Sequence, residues 1–424
     1  MQGRERIQPY EILYNAIKVS SELIERFTPE GEMITIKSYV RNGLQAMEKV
    51  LQQADEGKPI IGYHFAFPGE ILHCFDAVPF CFEAVPYVMA ALLPDGAEYY
   101  YDRITAFGHP YHACTSQKGI MGFSLEKMVD YDLVVCPTSP CDNTIASYQF
   151  FQNYMKVPLL VADMPYYRDD RGTEFFANEL RRQIEDMSKI LNQEPDWDGL
   201  KTAVKYNTQA QEYLMDINDM RKAVPCPIES IINVLITMAT VTMSGTPQKV
   251  QFFKEVRDLM RERLKNHEGR TGFEKFRSLW PNISLFYDLG FFYWLDRHLG
   301  MTYLLDVFNY YAYDPIKSNN VDEIILGIAK QTMNYPMTHQ AQSFINHMIE
   351  DTLWAAKEYK ADCAIMTGHL GCKQVASAIQ IIREVLRDEL DIPMLTIEVD
   401  IGDKRFTSIE QVKYEISEFA KTLL

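Results

Sequence analysis

The cysteines are the residues of this sequence whose type and spacing say most about chemistry. Five of the eight lie between Cys74 and Cys141, and Cys372 lies far downstream in the stretch GHLGC. Cys114, Cys141 and Cys372 each stand beside a turn signal rather than deep in an apolar run. Thiolates gathered on loops at one end of a sheet are suited to holding an iron–sulfur cluster. The pattern therefore indicates a possible cluster site built from loop cysteines.

A structural role is the alternative for every one of these cysteines. Cysteine often behaves as a small buried hydrophobe, and eight in 424 residues are too few for a disulfide scaffold. The sequence contains no CxxC pair, so zinc-finger and compact ferredoxin spacings are both absent. A cluster in this chain must therefore draw its ligands from loops that are distant in sequence.

Three histidines lie close to the candidate ligands. His109 and His112 precede Cys114, and His369 stands three residues before Cys372. Histidine commonly serves as a hydrogen-bonding partner of backbone groups. Because they lie near the cysteines, all three histidines are also candidate proton donors.

Common nucleotide and hydrolase motifs are missing from the sequence. There is no GxGxxG after a predicted strand, no GxxxxGK[ST], no HExxH and no GxSxG. After the last predicted strand, Asp400, Asp403 and Arg405 are expected to cap the next helix and to pair locally. A role for these three residues in an active-site cleft is the alternative.

Composition limits the class of protein. A chain of 424 residues predicts two or three domains. The net charge of −16, from 42 basic and 58 acidic residues, argues against a nucleic-acid partner. The N-terminus lacks the apolar region of an export signal, and the most apolar window, Ile228–Met243, is too short and polar to span a membrane. We therefore expect a cytoplasmic protein without a membrane segment, whose thiols stay reduced.

The hydrophobic pattern predicts an α/β protein with two Rossmann-like parallel-sheet domains. Residues 1–56 form an N-terminal helical segment, 57–170 a first α/β domain with the cluster loops, 171–272 a helical insert and 273–424 a second α/β domain. The predicted strands are the apolar runs IIGYHF, VPFCFEAV, DLVVCP, VPLLVADMP, NISLFYDLG, MTYLLDVF, DCAIMTGHLG and IPMLTIEVD.

These elements place the cysteines near the carboxyl ends of strands, where ligands of parallel sheets collect. Cys136 and Cys141 lie at the carboxyl end of the DLVV strand, and Cys372 follows the AIMT strand. A long predicted helix begins just after Cys372, and amides at a helix start lower the pKa of a thiol. The two α/β units are expected to present their cysteines across a cleft.

Several stretches together resemble one family, the subunits of benzoyl-CoA reductase and 2-hydroxyacyl-CoA dehydratase. The resemblance extends from about residue 60 to the end of the chain. The matching stretches, in order, are PGEILHCFDAV, HACTSQKGIMG, SPCDNT, GHLGC and IPMLTIEVDIGDKRFTSIEQVKYEISEF.

The resemblance implies a cofactor and a partner. Members of this family bind [4Fe–4S] clusters through three cysteines and receive low-potential electrons from a separate ATP-hydrolysing iron–sulfur activator protein. Cys114, Cys141 and Cys372 match the three family cysteines, and Cys74 matches a further cysteine of the reductase-type subunits. The missing phosphate-binding loop agrees with a partner that handles ATP.

This chain also departs from the family pattern. Where the reductase-type relatives carry paired cysteines, the sequence reads IILGIAKQ, while Cys81 and Cys136 lie near the core set. Six thiolates are enough for two cubanes, as in the double-cubane cluster proteins with an [8Fe–9S] centre, a homodimeric branch of the family. This branch is our preferred assignment. Cys226 and Cys363 are expected to be structural.

The resemblance leads to three functional hypotheses. The first is an oxygen-sensitive iron–sulfur reductase that depends on the activator and reduces a small substrate. The second is a benzoyl-CoA reductase or 2-hydroxyacyl-CoA dehydratase subunit, with a [4Fe–4S] cluster, an acyl-CoA substrate and a paralogous subunit as heterodimer partner. The third is a non-catalytic electron-transfer subunit.

Overall fold

The computed structural model describes residues 3–29, 32–306, 309–311, 313–340 and 344–424. Two helices open the chain, α1 (Gln8–Phe27) and α2 (Ile34–Asp55). They confirm the predicted helical N-terminus. The pair packs against two later helices, Ala84–Leu92 and Pro247–Lys265.

The first half of the chain builds a four-stranded parallel sheet. Its spatial order is β2, β1, β3, β4. The elements are β1 (Ile60–Tyr63), β2 (Val78–Cys81), α3 (Ala84–Leu92), α4 (Glu98–Ala106), α5 (Thr115–Leu125), β3 (Leu133–Pro137), α6 (Asp142–Gln149) and β4 (Leu159–Ala162), with a short 3₁₀ helix at Gly69–Cys74. The central strands β1 and β3 are fully buried, as expected of a parallel sheet covered on both faces, whereas the edge strand β4 is mostly half-buried.

Four helices follow β4, where the sequence predicts a helical segment. They are α7 (Asp170–Leu191), α8 (Trp197–Met220), α9 (Ile232–Thr242) and α10 (Pro247–Lys265). The most apolar of them, α9, is buried along nearly its whole length. No helix in the described ranges combines the length and apolarity that a membrane crossing needs.

A second four-stranded parallel sheet has the order β6, β5, β7, β8. Its elements are β5 (Phe276–Trp280), α11 (Gly290–Trp294), β6 (Met301–Asp306), α12 (Val321–Met333), α13 (Pro336–Gln340), α14 (Ile345–Glu358), β7 (Cys363–His369), α15 (Lys373–Leu390), β8 (Met394–Val399) and α16 (Ile409–Thr422). The two sheets confirm the predicted fold class. The last two residues of the predicted strand MTYLLDVF, 307 and 308, lie outside the described residues.

One strand prediction is wrong. The run NISLFYDLG is not a strand, and FRSLW just before it forms β5. The polar residues Arg277 and Ser278 interrupt the apolar pattern of this strand, but both are buried and hydrogen-bonded. Arg277 donates to the Tyr359 carbonyl at 2.8 Å, and Ser278 Oγ donates to the Thr302 carbonyl at 3.0 Å. The run NISLFYDLG becomes a loop at the carboxyl end of β5.

Candidate functional site

Cys114, Cys141 and Cys372 all occupy the residue that immediately precedes a helix. They are the N-cap residues of α5, α6 and α15, respectively. Unpaired amides at a helix start carry partial positive charge, which favours a thiolate. The sequence predicts this arrangement for Cys372, and the structure extends it to Cys114 and Cys141.

The same three cysteines line one cavity of about 110 Å³. Cys114 and Cys141 come from the first half of the chain, and Cys372 comes from the loop that follows β7 in the second sheet. All three are partly exposed, whereas the other five cysteines are buried. The cavity therefore brings together thiols that are up to 258 positions apart in the sequence.

The loops that carry these thiols are in direct contact. The Asn143 side-chain amide donates to the Gly371 carbonyl at 2.7 Å, which ties the start of α6 to the loop before α15. Gly371 packs so closely on Cys114 that a Cβ at this position would lie 2.5 Å from the Cys114 nitrogen. These contacts fix the positions of Cys114 and Cys372 relative to each other.

A buried carboxylate braces the same region. Asp400 Oδ1, just after β8, accepts from Thr115 Oγ at 2.8 Å and from the backbone amides of Gly402 and Asp403 at 2.9 and 3.1 Å. Asp400 thus joins the first turn of α5 to the second sheet. Its neighbour Asp403 pairs with Arg405 at 2.7 Å.

The three thiols differ in their acidity. Burial raises the pKa of Cys114, but contact with His369 and with the Tyr87 hydroxyl, 3.6 Å from the sulfur, lowers this pKa below its ordinary value overall. Burial raises the pKa of Cys141 and, to about 11, that of Cys372. A nearby metal charge lowers the pKa of a coordinating thiol, so the last two thiols need a cationic partner to ionise near neutral pH.

His369 is the predicted histidine that lines the cavity. Its Nδ1 atom lies 3.4 Å from the Ile401 amide that donates to it, and its buried Nε2 atom has no hydrogen-bond partner within the described residues. Burial lowers the pKa of His369, but contact with the Cys114 thiol and the charge of Asp400 raise it overall. His109 is half-buried and His112 exposed, and neither lines the cavity.

The other candidate ligands lie in hydrophobic cores rather than at the cavity. Cys74 and Cys81 belong to the hydrophobic core that also contains Tyr63 and Leu133. Burial raises the pKa of both thiols to about 12. Cys136 lies inside β3 in a different core. The structure therefore separates the predicted set of six into three cavity thiols and three core thiols.

Some site residues are absent from the sequence-based predictions. Glu83 lines the cavity and is almost fully buried. His64 Nε2 lies 2.9 Å from Glu83 Oε2, and the Gln117 side-chain amide donates to the other carboxylate oxygen. The sequence feature that indicates a role for Glu83 is its position as the single acidic residue in the apolar run VPFCFEAV, just after β2.

The cavity fits an iron–sulfur cluster by the chemistry of its donors. No set of three His, Cys, Asp or Glu side chains in the described part of the chain converges on a single metal ion. A cluster binds each thiolate through a different iron, so its ligands surround a volume rather than a point. Three separate thiols at helix starts, facing a mainly apolar cavity, meet that requirement.

Comparison with known proteins gives one family and two relatives. The model of the family described as 2-hydroxyglutaryl-CoA dehydratase, D-component, matches residues 64–423. A benzoyl-CoA reductase subunit of Thauera aromatica is 19% identical over 347 residues, covering 74% of this chain and 77% of that protein. The (R)-phenyllactyl-CoA dehydratase alpha subunit of Clostridium sporogenes is 22% identical over 279 residues, covering 65% of this chain and 66% of that protein.

Proposed function

Because the chain belongs to the 2-hydroxyglutaryl-CoA dehydratase D-component family, we propose that it is an iron–sulfur enzyme subunit that acts on an acyl-CoA thioester. Cys114, Cys141 and Cys372 are the proposed ligands of one cubane-type cluster. The observation that carries this proposal is their shared cavity, with each thiol at the start of a different helix. When bound, the cluster supplies single electrons at low potential.

One cluster per chain replaces the double cubane as the preferred assignment. A second cubane needs thiols from Cys74, Cys81 and Cys136. The side chains of these residues lie in the hydrophobic cores, away from the cavity. Reaching a common cluster would require breaking two cores, which makes the three-ligand assignment the simpler one.

The protein's own residues have distinct proposed roles around this site. Met238, Val241 and Phe286 provide apolar walls that exclude water and so strengthen electrostatic interactions inside the cavity. His369 is the proposed proton donor, because it lines the cavity and its ring contacts the Cys114 thiol. Glu83 also lines the cavity and is held in place by His64 and Gln117.

The proposed reaction is reduction of the acyl-CoA substrate. Elimination of water from a 2-hydroxyacyl-CoA is the second candidate, which the family model and the phenyllactyl-CoA dehydratase relative favour. Both candidates include a separate ATP-hydrolysing iron–sulfur activator as electron donor. The proposal also includes a dimer, either of two copies or with a paralogous subunit, in the cytoplasm.

Iron analysis of anaerobically reconstituted protein tests the ligand assignment. We expect about four iron atoms per chain for a [4Fe–4S] centre, whereas a double cubane would give about eight. Serine replacements of Cys114, Cys141 and Cys372 should each lose most of the iron. Matched replacements of Cys74 and Cys136 should retain it. Full iron in any of the first three variants would contradict the assignment.

A turnover assay separates the catalytic from the electron-transfer hypothesis. Purified protein is mixed with activator, ATP, reductant and an acyl-CoA, and the products are separated by chromatography. A reduced acyl chain supports the reductase, and an enoyl-CoA formed from a 2-hydroxyacyl-CoA supports the dehydratase. Electron uptake without product in the presence of every candidate subunit would support a carrier role.

A further inference from the structure

A second cavity of about 310 Å³ adjoins the thiol cavity. It lies between α1, α2, α3, α9 and the loop before α11. No charged side chain lines it within the described residues, and its polar side-chain groups are limited to Ser20 and tyrosine hydroxyls. We call this space the apolar chamber.

A single layer of three side chains separates the apolar chamber from the thiol cavity. Tyr87, Met238 and Phe286 line both spaces. The Tyr87 and Phe286 rings are stacked with their centres 4.9 Å apart, and the Tyr87 hydroxyl lies 3.6 Å from the Cys114 sulfur. Methionine is unbranched and adapts its shape readily, so Met238 is the member of this layer that changes conformation most easily.

The walls of the apolar chamber come partly from outside the family-matched region. Seven of its nineteen lining residues belong to α1, α2 and the turn between them, all before residue 64. Ile17 and Ile24 come from α1, while Tyr39 and Val40 come from α2. The N-terminal helical pair therefore completes a cavity that the matched residues alone would leave open.

We propose that the apolar chamber binds the hydrocarbon part of the substrate, so that substrates with an aromatic ring or a branched alkyl group are preferred. This proposal rests on the function proposed above. The chamber has twice the volume of the ~150 Å³ engineered cavity that holds benzene, which leaves room for a ring and a short chain. Burial of such a group is favourable because it removes apolar surface from water.

Binding of n-propylbenzene to the full chain, measured by calorimetry, tests the proposal. Ile24→Trp on α1 and Ala91→Phe on α3 place bulky rings in the chamber from two different helices. Leu23→Trp is the matched control, because Leu23 is 52% exposed on the same turn of α1. We expect saturable binding by the wild type and the control, and at least tenfold weaker binding by both filling variants.

Competition links the apolar chamber to the substrate. The phenylpropanoyl thioester of CoA should displace n-propylbenzene from the wild-type protein. Absence of n-propylbenzene binding, equal binding by the filling variants with unchanged circular dichroism, or absence of competition would each overturn the proposal. The iron content of the same preparations reports on the proposed function alone, so a protein that binds n-propylbenzene but no iron would refute only the cluster assignment.

Discussion

Gly371→Ala is the substitution that tests the geometry of the site most directly. An added Cβ would lie 2.5 Å from the Cys114 nitrogen and 2.9 Å from the Ala113 carbonyl carbon, while ordinary contacts begin at 3.4 Å. These neighbours are backbone atoms, which cannot rotate away as a side chain can. The loop before α15 must therefore move by about 1 Å, and overpacking of this kind costs about 1–3 kcal/mol.

A matched substitution lies three residues earlier. At Gly368 the nearest atom to an added Cβ is the tip of the Ile379 side chain at 3.4 Å, an ordinary contact. Gly368→Ala should therefore change the unfolding free energy by less than about 0.5 kcal/mol. Urea unfolding of the cofactor-free protein, followed by circular dichroism, measures both variants against the wild type.

The same displacement has a consequence for the proposed cluster. Moving the loop shifts Cys372 away from Cys114, so reconstituted Gly371→Ala protein should contain less iron than Gly368→Ala protein. If the two variants are equally stable and bind equal iron, the loops do not approach as closely as described. The assignment of both cysteines to one cavity would then lose its geometric support.

Three further substitutions have effects on stability that follow from the structure. Burial lowers the pKa of Lys249 to about 8, below its ordinary value of 10.5, so between these values the unfolded chain holds more protons and stability rises with pH. In this pH range the free energy of unfolding should rise by up to about 1.4 kcal/mol per pH unit because of Lys249. Lys249→Met should abolish this rise, and urea unfolding at several pH values measures it. Asn143→Ala leaves the Gly371 carbonyl without its donor and should cost about 1–2 kcal/mol in the same assay. Thr115→Val removes the hydroxyl that donates to Asp400 and should lower the melting temperature of cofactor-free protein, whereas an unchanged melting temperature would contradict the bracing role.

The fold was largely predictable because its elements follow simple rules. Helical spacing located the N-terminal pair and the helices after β4, and short apolar runs located seven of the eight described strands. The strand β5 was missed because Arg277 and Ser278 interrupt its apolar character. Their partners, Tyr359 and Thr302, are distant in sequence, so a local pattern carries no sign of them.

The candidate site was predictable only in part. A cysteine at the end of a strand and one inside it look alike in sequence, yet Cys141 reaches the cavity while Cys136 is enclosed in a core. The distinction depends on where β3 ends and on which helix covers it. Tyr87 and Asn143 acquire their roles only through contacts with Cys114 and Gly371, which no spacing rule connects.

The division of the three cavity thiols between the halves of the chain has a consequence for biosynthesis. Two of the thiols are translated early, but Cys372 leaves the ribosome only when most of the 424 residues have been made. Assembly of the proposed cluster requires all three thiols and therefore waits until Cys372 has been translated. A nascent chain arrested before β7 would leave the thiols of Cys114 and Cys141 without the third proposed ligand.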